Sequence, residues 1–308
     1  MSDPATNAVH GALDELIALA AFAQGSSLSR TRRSAALQAG TSSSRWRGRG
    51  VDFRESRIYQ PGDEIRHMDW RVTARTGKPH TKLFEEEREQ ALLLAVDLNP
   101  SMHFGTRARF KSVQAARAAA LIAWLASRGG DRVGALAFGG GISGEVRPAG
   151  GRRGVLRVLR ALRDWDHARD LSQVEPLSRA LARARHLLRP GMRLVILSDG
   201  FCADTPNPLP QLVARHDVVV VLLRDALELA APPPGRYALH LGNTRRLVDF
   251  GDVRVRRAWS DRFANSRARL LGQCRQLAIR VVELDTDAEL RRALAPLLAR
   301  ARPSAVVA

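Results

Sequence analysis

Residues 91–102, ALLLAVDLNPSM, constrain this chain more than any other stretch. Residues 91–96 are apolar without a break. The run is too short to cross a membrane and too uniform for a strand with one wet face, so it reads as a strand buried on both sides of a parallel sheet. It stops at Asp97, after which Asp97, Asn99 and Ser101 occupy alternate positions. Open α/β sheets bind ligands beyond the carboxyl ends of their strands, which makes this polar cluster a candidate site. In a tight loop the spacing turns three oxygen-bearing side chains toward one point, an arrangement that suits a hard cation such as Mg²⁺. The same residues also make an ordinary turn, with Asp and Asn bonding their own backbone around Pro100.

The rest of the chain repeats this grammar. Residues 193–197 form a second buried run that closes on Ser198, Asp199 and Gly200, so two carboxylates of one sheet can meet at one site. Residues 132–138, 217–223 and 280–284 read as further strands. Helices are expected over 108–128, stopped by Gly129 and Gly130, and over 153–164, 176–188 and 255–277. A last helix is expected over 288–300, capped by Thr286 or Asp287, and 237–241 with 246–250 read as a hairpin through Gly242 and Asn243. Strands alternating with helices predict an α/β fold, a doubly wound, mostly parallel sheet in three layers. The Gly-rich residues 139–151 lack the GxxxxGK[ST] pattern and no GxGxxG follows a strand, so no nucleotide site is expected.

Upstream the texture changes. Residues 4–24 read as one amphipathic helix with Val9, Leu13, Leu16, Ile17, Ala20 and Ala21 on one face. Residues 25–47 read as a basic connector. In residues 48–87 opposite charges crowd together, which predicts an ion-pair network pinning the segment to the sheet, because partly buried charges need partners. Short strands are expected near 58–59 and 81–84, with Pro61, Gly62 and Asp63 as a turn. Tyr59, Pro61, Gly62, Asp63, Arg66, Asp69, Trp70 and Arg75 are read as structural, Trp70 as a buried anchor with its indole N–H satisfied. Three segments result: a helix and basic linker over 1–44, a small β segment over 45–90, and the α/β domain over 91–308 with a hairpin insertion near 236–250.

The formal net charge is +18, and only Lys78, Lys82 and Lys111 among 49 basic residues are lysine. Arginine makes bidentate contacts with phosphate, so residues 45–49 and Arg254, Arg256, Arg257, Arg262, Arg267 and Arg269 raise nucleic-acid binding as an alternative. No recognised nucleic-acid motif accompanies them, and arginines scattered over solvated helix faces account for the excess more simply. Cys202 and Cys274 lie far apart without CxxC or His-rich company, which argues against a zinc site and for a reducing compartment. No stretch is long enough to span a bilayer and no signal-peptide pattern is present, so a cytoplasmic protein is expected.

The segments RGRGVDF, YQPGDEIRHMDWRVTARTG, KLFEEER, DLNPSM, GDRVGALAFG and LVILSDG resemble the bacterial family known as domain of unknown function 58. RDALEL resembles the family's Asp-Pro-Leu-Glu turn, with Ala226 in place of Pro, and VVELDTDAEL its final strand and helix. The resemblance runs from about Arg45 to the end of the chain. It implies a von Willebrand factor A-like domain, and an adaptor that works with a MoxR-type AAA+ ATPase on a client protein during complex maturation or assembly. It also implies a metal-ion-dependent adhesion site for Mg²⁺ or Mn²⁺, with Asp97, Asn99 and Ser101 as the first loop and Asp199 as the third. Asn99 stands where the pattern has Ser. Aligning Ala180 and Leu181 with the usual Ala-Leu puts Glu175 at the position of the second-loop Thr, where it either donates a carboxylate oxygen or fills the place of a partner's acidic group. No enzymatic activity is implied, and the sequence holds no GxSxG elbow, HExxH or kinase set. A metal hydrolase built on Asp97 and Asp199 would need a positioned base, and only His103 is near in sequence.

Overall fold

The structure, a computed structural model, describes residues 8–28, 51–60, 63, 65–86, 90–241 and 244–300. In chain order the elements begin with α1 (Leu13–Ala18), a 3₁₀ turn (Leu19–Ala23), β1 (Ser26–Leu28), β2 (Val51–Ile58), α2 (Trp70–Thr76), β3 (His80–Glu86) and β4 (Ala91–Asp97). There follow α3 (Lys111–Arg128), β5 (Arg132–Phe138), β6 (Glu145–Ala149), α4 (Gly151–Ala168), α5 (Leu177–Leu187), β7 (Arg193–Ser198), α6 (Leu209–Arg215) and β8 (Asp217–Arg224). The last are α7 (Ala226–Leu229), β9 (Arg236–Leu241), β10 (Thr244–Asp249), α8 (Val253–Gln276), β11 (Arg280–Asp285), α9 (Leu290–Ala293) and β12 (Leu298–Arg300). The chain divides into two compact units, residues 1–40 with 90–308, and residues 41–89.

The larger unit is built on a six-stranded sheet of order β11-β8-β7-β4-β5-β6, parallel throughout except for the antiparallel edge strand β6. Side chains alternate across a strand, and the alternation produces two cores. Leu92, Leu94 and Val96 of β4 face one side with Val195, Leu197, Val219 and Val221, under α3 and α4. Leu93 and Ala95 face the other with Leu194, Ile196, Val218 and Val220, under α5 and α6. Helices over both faces make three layers. α3 is buried along most of its length, since a helix between the sheet and an N-terminal segment has no free face. Its Trp124 donates Nε1–H to the Leu16 carbonyl at 3.1 Å.

Several expectations are corrected. The helix predicted over 4–24 is short and passes into a 3₁₀ turn, so the buried positions are Leu16, Leu19 and Ala23 and Ala21 is exposed; residues 1–7 lie outside the described residues. Ser26–Leu28, placed in a basic connector, pair antiparallel with Leu298–Arg300. The final helix over 288–300 gives way after α9 to a 3₁₀ turn at Ala295–Leu297 and then to β12, because Pro296 has no N–H for a continuing helix. Thr286 and Asp287 do not cap it: the Thr286 hydroxyl bonds Asp225 and Asp287 pairs with Arg107. The Gly-rich stretch contains β6, and α2 and α6 had no clear sequence signal.

The smaller unit pairs β2 and β3 antiparallel, with a register shift between Phe53 and Glu55. Its internal bonds are local. Arg57 meets Asp63 at 2.7 Å, Asp63 also accepts from the Gln60 N–H, and the Tyr59 N–H donates to Pro79 O. Pro61 and Gly62 lie outside the described residues. Asp69 is buried and caps α2 by accepting from Val72 N at 3.2 Å and from the Ser56 hydroxyl at 2.6 Å; α2 ends on left-handed Gly77. Arg66 and Arg75 are exposed. Trp70 corrects the reading of a buried anchor: it is 64 % exposed. The capping side chain of Asp69 takes the inner position, and the next residue, about 100° round the helix, turns outward.

Candidate functional site

β4 and β7 are neighbours in the sheet, and the strand order reverses between them, the place where doubly wound sheets bind ligands. Asp97 ends β4 and Asp199 follows β7, so the two sequence-predicted carboxylates come together here. Both are buried. Asp97 Oδ1 accepts from the backbone N–H of Asn99 at 2.9 Å and from its amide Nδ2 at 2.8 Å. Oδ2 accepts from Ser198 Oγ at 2.6 Å and from Cys202 Sγ at 3.0 Å. Burial, and then the neighbouring Asp199 charge, push the Asp97 carboxyl up to about 6 despite these four donors. Burial and the Asp97 charge hold the Cys202 thiol well above its ordinary value, so it is a donor and not a nucleophile.

The second loop joins the first through main chain. The Glu175 N–H donates to Asn99 Oδ1 at 2.8 Å, and Asn99 Nδ2 donates to Glu175 O at 3.0 Å. The Glu175 carboxylate turns away, accepting from the Gly139 N–H and from Arg183. Gly139 has φ +79, and a Cβ there would stand 2.5 Å from the Asn99 side chain. Gly139→Ala is therefore expected to cost about 1–3 kcal/mol from backbone strain alone, with displacement of Asn99 adding to it, measurable as a lowered urea midpoint with unchanged slope.

The centre of the cluster is a residue that the sequence reading did not select. Lys111, the first residue of α3, is fully buried. Its ammonium donates to Asp199 Oδ2 at 2.7 Å and to Glu228 Oε1. The Phe201 and Phe104 ring centroids lie 5.6 and 5.9 Å from Nζ. Asp199 Oδ1 accepts from the Phe201 N–H. Glu228 belongs to a capping box, accepting from the Asp225 N–H while Asp225 caps α7. Asp225 accepts four hydrogen bonds, from Thr106 N and Oγ1, Leu227 N and Thr286 Oγ1. Burial raises the Asp225 carboxyl, but the Thr106 and Thr286 hydroxyls and the two N–H donors outweigh it and leave it below its ordinary value. The available signal was compositional: a chain that uses Arg nearly everywhere keeps Lys here, where a compact ammonium is needed.

These commitments decide how well the residues fit a divalent cation. Both oxygens of Asp97 and of Asp199, the Asn99 amide oxygen and the Glu175 carboxylate are engaged by donors within the chain, and a buried ammonium already lies against Asp199. Of the five predicted ligands, Ser101 is the one whose buried Oγ has no hydrogen-bond partner. The set does not fit Mg²⁺ or Mn²⁺. Among the described residues, the side chains with metal-ligand spacing are His10, Asp166 and His167, where Asp166 is paired with Arg169 and accepts from the Gly11 N–H. His103 is half-buried against Phe110 and Arg169, and burial, then the Arg169 charge, lower it to about 4. A cavity of about 450 Å³ lined by Leu188, Pro190, Arg215 and His216 lies where the chain enters β7 and β8, at the opposite ends of the strands.

The fold and strand-end cluster are those of an α/β protein with a buried ionic node at its topological switch point. The chain belongs to the family described as Protein of unknown function DUF58, which matches residues 55–269. It is 32 % identical over 241 residues to uncharacterised proteins of Mycobacterium bovis and Mycobacterium tuberculosis, covering 78 % of this chain and 76 % of theirs. Among solved structures it is similar to a conserved hypothetical protein BatB from Bacteroides thetaiotaomicron, at 13 % identity and TM-score 0.38, over 67 % of this chain and 95 % of that one. No helix among the described residues is long and apolar enough to cross a membrane.

Proposed function

We propose that this chain is a non-catalytic, von Willebrand factor A-like adaptor that binds protein, working with a MoxR-type AAA+ ATPase on a client during complex maturation or assembly. The observation that carries the protein-binding part is the exposure of Trp70 (64 %), Ile65 (66 %) and Ile58 (56 %) in and beside the segment with the densest family pattern. Exposed apolar side chains mark interaction surfaces where they are grouped and not scattered singly; these three fall within residues 58–70, and Trp is enriched among residues that dominate binding energy. The strand order β6-β5-β4-β7-β8-β11 supports the fold-level likeness. The ATPase as partner rests on the family resemblance, and the non-catalytic reading on strand-end groups that are committed to one another and leave no activated nucleophile.

The test is binding of the purified chain to the ATPase with and without nucleotide, and no binding in either state sinks the proposal. Trp70→Ala is expected to weaken that binding at least tenfold, while stability stays within about 0.5 kcal/mol, as for exposed substitutions. A variant that melts early would restore the structural role. Nucleic-acid binding is the second reading, favoured by Arg254, Arg257, Arg262 and Arg269, which are exposed along α8. It predicts affinity that falls steeply with salt.

A further inference from the structure

We infer that the Lys111 ammonium is the resident cation of the strand-end site, so this face works without a divalent metal, and that removing the ammonium turns the cluster into a metal site. The placement is what a structural cation would have. Nζ starts from the helix after β4, reaches Asp199 in the loop after β7 at 2.7 Å, and reaches Glu228 in the turn after β8. Three loops that leave three adjacent strands are thereby tied to one positive charge. Phe104 and Phe201 flank that charge, which keeps water from screening it.

A divalent ion has no place beside it. Mg²⁺ requires oxygens at about 2.0–2.1 Å in near-octahedral array. Asp199 Oδ2 is taken by Lys111 and Oδ1 by the Phe201 N–H. Asp97 is saturated by four donors, and Asn99 turns its amide nitrogen, the wrong end for a cation, toward Asp97. Two further positive charges next to a buried ammonium would also repel it at low effective dielectric. Lys111→Met reverses the balance, because Asp199 and Glu228 then lose their counter-ion together.

The experiment is titration of Mg²⁺ and Mn²⁺ into chelator-treated full chain, followed by calorimetry, with melting in EDTA and in millimolar metal alongside. The wild type is expected to give no heat beyond dilution and one melting temperature in all conditions. Lys111→Met is expected to melt lower in EDTA and to recover part of the loss in either metal. Saturable heat in the wild type that disappears in Asp199→Asn overturns the inference, as does a folded Lys111→Met protein indifferent to both metals. Should Lys111→Met fail to fold, the wild-type titration decides alone. Metal-independent binding of a partner at this face rests on the proposed function, and the two are separable. With nucleotide-free ATPase, so that EDTA strips no Mg²⁺ from the partner's own site, binding that is lost in EDTA refutes metal independence and keeps the adaptor, whereas absence of binding in EDTA and Mg²⁺ alike refutes the adaptor and leaves the titration to judge the site.

Discussion

Lys111→Met is expected to lower the unfolding free energy by about 3–5 kcal/mol, the range for breaking a buried ion pair by deleting one partner. Methionine fills nearly the same volume, so the loss isolates the charge from packing. The energy comes from what remains: Asp199 and Glu228 stay buried with no cation between them. Burial and the Asp199 charge already raise the Glu228 carboxyl, with Lys111 pulling the other way, so in the variant Glu228 is expected to take up a proton, which limits the loss. Lys111→Met with Glu228→Gln should then be more stable than the single variant. Lysine itself is disfavoured by burial, but Asp199 and Glu228 outweigh that and raise it above 10.5. A base raised in the folded state contributes fully below its unfolded value and loses the contribution as pH climbs through the folded one. On the alkaline side the gap between wild type and variant should therefore hold to about pH 10.5 and shrink above it, while on the acid side it narrows as Glu228 of the variant takes up its proton. A gap that began to close on the alkaline side well below pH 10.5 would mean that Lys111 is not charged as assigned.

Asp225→Asn is the second large effect, about 2–4 kcal/mol, and geometry decides it. One carboxylate oxygen accepts from Leu227 N and the other from Thr106 N. Backbone N–H groups cannot turn into acceptors, so either orientation of an asparagine sets an amide nitrogen against a donor. Two buried donors cannot satisfy each other, and a lost hydrogen bond to a charged group costs about 1.5–3 kcal/mol. Asp97→Asn is the matched control. There one oxygen faces only Ser198 Oγ and Cys202 Sγ, a hydroxyl and a thiol that can rotate to accept, and the substitution also removes a carboxylate that burial has raised. It should cost less than half as much. Because the Asp225 carboxyl is held below 3.8 when folded, its contribution is complete above that pH and lost as pH falls through the folded value. Wild type and Asp225→Asn should converge on acidification, and denaturation curves collected at a series of pH values would show it.

The parts of the fold that were legible are those where burial on both sides leaves one solution. Residues 132–138 matched a strand boundary to the residue, and the runs before Asp97 and Asp199 gave the two strands that meet at the switch point. The meeting of Asp97 with Asp199 followed from applying strand-end logic twice, whereas Glu175 was brought to the first loop by the family resemblance, and it meets Asn99 through its main chain. Lys111 with Glu228 was not legible, because the partners are 117 residues apart and periodicity carries no information about which helix start faces which turn. Trp70 was misread for a related reason: a tryptophan in a dense pattern looks like core, and only the capping geometry of Asp69 shows which neighbour faces inward. The final helix stops short at Pro296, whose missing N–H is visible in the sequence and breaks the helical pattern over 288–300.

The scarcity of lysine gives the molecule a chemical clock. Among the three lysine side chains Lys78 is exposed, whereas the Lys111 amine is sealed under two phenyl rings and held as an ammonium. Reagents that acylate free amines need an accessible, unprotonated nitrogen, so Lys111 can react only during excursions in which the loops after β4, β7 and β8 part. The rate at which that one position becomes modified, read by peptide mass, measures how often the switch point opens, with Lys78 as the internal standard for reagent strength.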